Sequence, residues 1–238
     1  IYYRIMKIYS IICTRSKELN PVTKALVDKL STLPAKVMLM VNQESIFSGY
    51  KKAFEKVNPK DNDIFILCHD DIELPQAPHA ITQAISIVTA PNFGFAGVAG
   101  TKLLGEEAVW WDQRKWKEGH HSGEVWHPDA SPNSSSSSKD FHQTHYGPLS
   151  KVVVLDGLFL AASARTLRQV GLEKPSYLIG DWDFYDIHYT FSAFKKGLSN
   201  VTVPIKIAHH SRGELVGRDG WNENRQAFIR KHALPARI

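Results

Sequence analysis

Apolar and polar positions alternate in blocks along the first seventy residues. Lys7 to Cys13 is a strand-like apolar run, and residues 21–30 place Val22, Ala25, Leu26 and Leu30 at helical spacing, with Pro21 near the start. Ala35 to Val41 reads as a second strand. Residues 45–57 follow as a second helix, with Ile46, Tyr50, Phe54 and Val57 along one stripe. A turn over residues 59–63 leads into Ile64 to Cys68, an unbroken apolar run that ends abruptly at His69-Asp70-Asp71. A run of that kind predicts a strand buried on both faces, and the strand-helix alternation predicts a doubly wound, mainly parallel α/β sheet.

Farther on, residues 78–88 predict a third helix and residues 92–100 a glycine-punctuated strand. Gly94, Gly97 and Gly100 lie inside that run, not between a strand and a helix, so they predict close packing and no dinucleotide loop. Residues 105–150 break the pattern with Trp110, Trp111, Trp116, Trp126, five histidines and the run Ser134 to Ser138. So polar a stretch predicts a long insertion with a mobile middle. Its tryptophans suit either the packing of the loop's root or the faces of sugar rings. The histidines lack a regular ligand spacing, which argues against a zinc site there. Order returns with the apolar run 151–162, interrupted by Asp156-Gly157. A helical turn over 164–170, a helix running through Phe194, a last strand over 201–207 and a closing amphipathic helix over 220–231 complete the pattern.

At 238 residues the chain is read as one domain: a half spanning 1–104, the insertion 105–150, and a second half spanning 151–238. The net charge of +5 is modest and contains no long like-charge block, which argues against nucleic acid as a partner. That balance suits an anionic small substrate such as a nucleotide diphosphate, or loose attachment to an anionic membrane surface. Cys13 and Cys68 each sit in a strand-like run and read as buried thiols of a reducing compartment. No apolar stretch approaches the ~20 residues that span a bilayer. The opening residues lack the layout of a secretory signal, so the expectation is a cytoplasmic protein, peripheral to a membrane at most, with Met6 its natural start.

Ligands of open α/β sheets bind at the carboxyl ends of the strands. His69, Asp70 and Asp71 fall at such an end, where paired acids suit a divalent cation and its diphosphate. On residue types alone, Asp71 could equally cap a helix. Asp156, inside an apolar run, needs a partner or an opening. Asp181, Asp183 and Asp186 pack three carboxylates into six positions, either for proton transfer or for a helix dipole.

The ordered set of motifs resembles the GT-A glycosyltransferases, in their family 2-like branch. The carrying pieces are the strand-helix-strand-helix start, the acidic triplet after the third strand, Val154-Leu-Asp-Gly-Leu-Phe-Leu160, Phe184-Tyr-Asp-Ile187, and His209-His-Ser after the last strand. The resemblance implies transfer of a sugar from a nucleotide-diphosphate sugar, foremost a UDP-sugar, to a glycan or lipid-linked hydroxyl with inversion. It implies Mn²⁺ or Mg²⁺ held by Asp71 and His209, with His69, standing where the first acid of an Asp-X-Asp motif is usual, as a softer ligand or a ribose contact. His210 is the lesser choice for the histidine. Imidazole plus carboxylate favours Mn²⁺. It further implies a nucleotide site at Thr14, Arg15, Asn42, Asp70, Asp71 and Asp156, where Asn42 offers a donor and an acceptor to the base. Asp186 matches the family's general base and Tyr185 stands where a glutamate is usual, with Asp181 and Asp183 as competitors. Two other readings are a non-catalytic carbohydrate-binding or scaffold domain and a sugar-phosphate nucleotidylyltransferase. The latter normally carries a glycine-rich loop after the first strand, and Cys13 to Lys17 lacks the glycines.

Overall fold

Strand β1 (Ile8–Cys13) is buried at every position and takes the parallel strands β2 (Ala35–Met40) and β3 (Ile64–Cys68) on its two sides. The computed structural model describes residues 6–128, 141–210 and 219–238. Helix α1 (Pro21–Ser31) starts where Asn20 accepts from the Thr23 amide, with Pro21 in the first turn. Helix α2 (Ile46–Val57) starts at Ser45, which accepts from the Ser48 amide, and ends at Asn58 in the left-handed region, φ 42°. The unbroken apolar run Ile64–Cys68 is the fully buried β3. Removing its side chains from water contributes about 1.5–3 kcal/mol per large residue as an upper estimate.

Beyond β3 come β4 (Ile72–Glu73), α3 (Pro78–Ile85) continued by a 3₁₀ turn (Ser86–Thr89), β5 (Phe93–Gly97), β6 (Ala99–Thr101) and β7 (Leu103–Leu104). A second 3₁₀ turn (Gln113–Glu118) precedes β8 (His121–Pro128) and β9 (Phe141–Gly147). Next are β10 (Lys151–Val152), β11 (Val154–Leu155), β12 (Phe159–Ser163), α4 (Ala164–Val170), α5 (Tyr185–Lys195) and β13 (Ser199–Thr202). The chain closes with β14 (Ala208–His209), α6 (Asp219–Lys231) and β15 (Ala236–Arg237).

The main sheet runs β10-β13-β5-β12-β3-β1-β2, with β12 antiparallel between β3 and β5. A smaller sheet runs β11-β6-β8-β14-β4, with β9 paired to β8. The mixed α/β fold is that expected, but two of its predicted strands divide. Residues 92–100 give β5 to the main sheet and β6 to the smaller one, and residues 151–162 divide into β10, β11 and β12. Apolar character continues through both turns because both sheets bury the same core, so hydropathy marks no boundary. The close approach of β6 to β11 needs Gly100, where a Cβ would stand 2.2 Å from the Val154 carbonyl.

Asn200, fully buried in β13, ties the layers together. Its amide donates to the carbonyls of Val153 and Thr190, and its oxygen accepts from Phe95 N–H. The insertion is more ordered at its flanks than its polarity predicts, since β8 and β9 pair over most of their length. Val125, Ser122 and His121 are buried there, and the backbone ladder, not apolar content, holds the hairpin. The expected mobile middle with Ser134 to Ser138 lies outside the described residues, as do Ile1 to Ile5. Among the described residues, no helix is long and apolar enough to cross a membrane.

Candidate functional site

Two very short strands build the site. After β3 the chain passes through His69-Asp70-Asp71 into β4, which pairs antiparallel with β14 so that His209 lies opposite Ile72. The His210 amide donates to the Asp71 carbonyl at 2.9 Å, fixing that register. No helix follows Asp71, so the capping alternative is set aside. His209 Nε2 stands 3.3 Å from Asp71 Oδ2, and His69 Nδ1 stands 3.7 Å from Asp71 Oδ1. One ligand atom from each of His69, Asp71 and His209 lies within 4.8 Å of the others, which among the described residues is the one such group of three.

Burial opposes ionisation of Asp71, but the His209 contact and the nearby imidazoles outweigh it and hold the carboxyl below its ordinary value. Its Oδ1 is nonetheless buried with no hydrogen-bond donor. That oxygen accepts no hydrogen bond, and two imidazole nitrogens with one carboxylate form a donor set that fits a borderline divalent cation. His210, the lesser choice, is turned to Glu73, with Nε2 2.6 Å from Oε1.

Asp186 sits in the first turn of α5, entered through Phe184 at φ 70°. Its Oδ2 accepts from Gly157 N–H at 3.0 Å and its Oδ1 from Ile187 N–H. Burial, followed by the charge of Asp156, pushes its pKa up to about 7. Asp156 Oδ1 accepts from Leu158 N–H at 2.8 Å, which answers the cost of an acid in that run. Tyr185, buried beside Asp186, donates its hydroxyl to the Gly157 carbonyl at 3.0 Å and meets His69 Nε2 at 2.8 Å. A hydrogen-bonded path thus runs from Asp186 through Gly157 and Tyr185 to His69.

At the ends of β1 and β2, Thr14 is buried and its hydroxyl accepts from Ser16 N–H. Arg15 lies over the Trp182 ring, 4.7 Å from its centroid. Asn42 is exposed in the left-handed region, φ 52°. Asp70 is half-buried, and its carbonyl accepts from the Thr23 hydroxyl at 2.8 Å. Asp181 is half-exposed and bound to Lys174 Nζ at 2.8 Å, while Asp183 is half-buried beside Gly220. Neither lies within α5, so the helix-dipole alternative applies to Asp186 alone.

Sequence reasoning passed over Asn224. This fully buried side chain of α6 accepts from the amides of Ile179 and Gly180 and donates to the carbonyls of Gly180 and Asp183. It thereby fastens the acidic loop. A polar residue between Trp221 and Phe228 on the buried side of an amphipathic helix was its only signal. Trp182, also unremarked, donates its Nε1–H to the Glu44 carbonyl and joins that loop to the start of α2. Of the insertion's aromatics, Trp110 is buried against Trp111, His121 and Tyr146. His127 lies between His209 and His142, with centroids 5.8 and 5.9 Å away.

None of the curated proteins matches the sequence. Among solved structures, GalNAc-T7 with UDP, GalNAc and Mn²⁺ superposes with a TM-score of 0.50 at 11% identity, over 92% of this chain and 45% of that one. A197 from STIV superposes at 0.46 and 11% identity, over 87% and 86%. The inositol-1-phosphate CTP transferase from T. maritima follows at 0.41 and 10%, over 96% and 98%. At such identities the likeness to GalNAc-T7 is one of fold, and this chain spans less than half of that protein. The model of a glycosyltransferase-like family matches residues 11–232, nearly the whole chain, and the chain belongs to that family.

Proposed function

We propose that the protein transfers a glycosyl group from a nucleoside-diphosphate sugar, a UDP-sugar foremost, to a hydroxyl of a glycan or lipid-linked acceptor, with inversion. The observation that carries this reading is the convergence of His69, Asp71 and His209 around a buried carboxylate oxygen with no donor. GalNAc-T7, a relative in fold, was solved with UDP and Mn²⁺, which supports a nucleotide and a cation as partners.

Asp71, His209 and His69 would hold Mn²⁺ or Mg²⁺, which when bound offsets the negative charge growing on the leaving diphosphate. Thr14, Arg15, Asn42 and Asp70 border the donor's nucleoside at the ends of β1, β2 and β3. Asp186 takes the acceptor's proton. A value near 7 lets it be ionised at neutral pH and still hold the proton it receives. Gly157 N–H and Ile187 N–H aim that carboxylate. Asp156 raises its basicity, and Asp183 is within the same loop system for acceptor hydroxyls. Residues 1–104 serve the donor, 151–238 the acceptor and the base, and the hairpin of the insertion shapes acceptor choice.

The test is incubation of the purified chain with a panel of sugar nucleotides and Mn²⁺, first without an acceptor. Slow release of the nucleoside diphosphate is expected, abolished by chelation. No release and no cation-dependent nucleotide binding would leave a binding or scaffold domain. Release of pyrophosphate from a nucleoside triphosphate and a sugar phosphate would instead identify a nucleotidylyltransferase.

A further inference from the structure

We infer that Tyr185 is a positioning residue that locks His69 in one tautomer, so that the bare Nδ1 of His69 faces Asp71 and serves as a cation ligand. The inference rests on the cation site proposed above and concerns how this chain completes it.

The Tyr185 hydroxyl has one proton, and the Gly157 carbonyl 3.0 Å away can only accept it. With that proton committed, the hydroxyl oxygen is an acceptor toward His69 Nε2 at 2.8 Å, so Nε2 carries the ring's N–H. A neutral imidazole has one N–H, so a ring that carries it at Nε2 has none at Nδ1. Nδ1 is then an unshared pair. It stands 3.7 Å from Asp71 Oδ1, itself buried with no hydrogen-bond donor. Two electron-rich atoms facing each other without a proton between them repel, and a cation between them reverses the sign.

The surroundings hold this arrangement. The Tyr185 ring is packed by Phe47, Tyr50 and Tyr189, which fixes where its hydroxyl oxygen stands. Gly157 leaves room for it, since a Cβ there would stand 2.3 Å from the hydroxyl. A second nitrogen on the ion shifts preference toward Mn²⁺ or Co²⁺ over Mg²⁺.

The test uses the full chain with Mn²⁺ alone, read by calorimetry and by pulsed electron paramagnetic resonance, which counts nitrogens bound to the ion. Wild type is expected to show two histidine nitrogens. Tyr185→Phe keeps the ring and should lose one nitrogen and about tenfold in Mn²⁺ affinity, with Mg²⁺ affinity little changed. His69→Ala should give the same loss, and the double variant no more than either single one. Equal melting midpoints for wild type and Tyr185→Phe exclude misfolding, and if the midpoint falls, the His69→Ala nitrogen count decides alone. Retention of both nitrogens and full affinity in Tyr185→Phe, or of both nitrogens in His69→Ala, overturns the inference while leaving the cation site standing. No Mn²⁺ binding by wild type overturns the site itself.

Discussion

His69 Nε2 and the Tyr185 hydroxyl stand 2.8 Å apart, joining the loop after the third strand to the first residue of α5. Since Tyr185 also donates to Gly157, whose own amide donates to Asp186, the contact couples the two sides of the site.

Asp71 is the shared member of the histidine pair, and its removal should be felt first in donor binding. Asp71→Ala is expected to abolish the Mn²⁺-dependent heat of UDP binding while leaving the melting midpoint within a few degrees. An unchanged titration would remove Asp71 from the site.

Asp186→Asn should reduce transfer by at least a thousandfold and leave Mn²⁺–UDP affinity intact, since Asn cannot take a proton. In the wild type, kcat/KM should rise with pH through a midpoint near 7, where Asp186 ionises. Stability should run the other way. The folded value lies above the ordinary 3.8, so the contribution is full below 3.8 and is lost as pH rises through 7. Asp186→Asn should therefore melt a few degrees higher than wild type at pH 8, and the gain should shrink toward pH 4. A pH-independent difference in midpoint would contradict this.

Asn224 satisfies two amides and two carbonyls of the loop that leads to α5. Asn224→Ala should cost about 1–3 kcal/mol in denaturant unfolding, because those groups lose their partner in a buried place. It should lower kcat more than donor affinity, since the loop precedes Asp186. Steady-state kinetics with a fixed donor would separate the two, and a rise in KM alone would count against the assignment.

His188 and His232 share the Tyr177 hydroxyl, at 2.8 and 3.2 Å. Burial, then the charge of His232, pushes His188 down to about 4 from an ordinary 6.5. With the neutral form favoured in the fold, the stabilisation is full above 6.5 and is lost as pH falls toward 4. The wild-type midpoint measured against that of His188→Asn, a difference in which the opposite trend from Asp186 cancels, should fall over that window. A difference that stays constant between pH 7 and 4.5 would count against this.

The apolar run Ile64–Cys68 could only be a strand buried on both faces, because its five side chains find no polar side to turn to water. The helix spacings of α1 and α2 were equally legible, since each has one apolar stripe and a capping side chain. The motif order sufficed for the family. Tertiary structure decided the rest. The meeting of His209 with Asp71 depends on β14 and β4, strands of two residues each, too short to show any period. The hydrogen bond between His69 and Tyr185 and the reach of Asn224 into the acidic loop depend on how helices pack on two sheets. The sequence determines which side chains are available and which segments bury themselves; only the packing of distant segments decides which polar groups meet, because one donor or acceptor leaves no trace in local hydropathy.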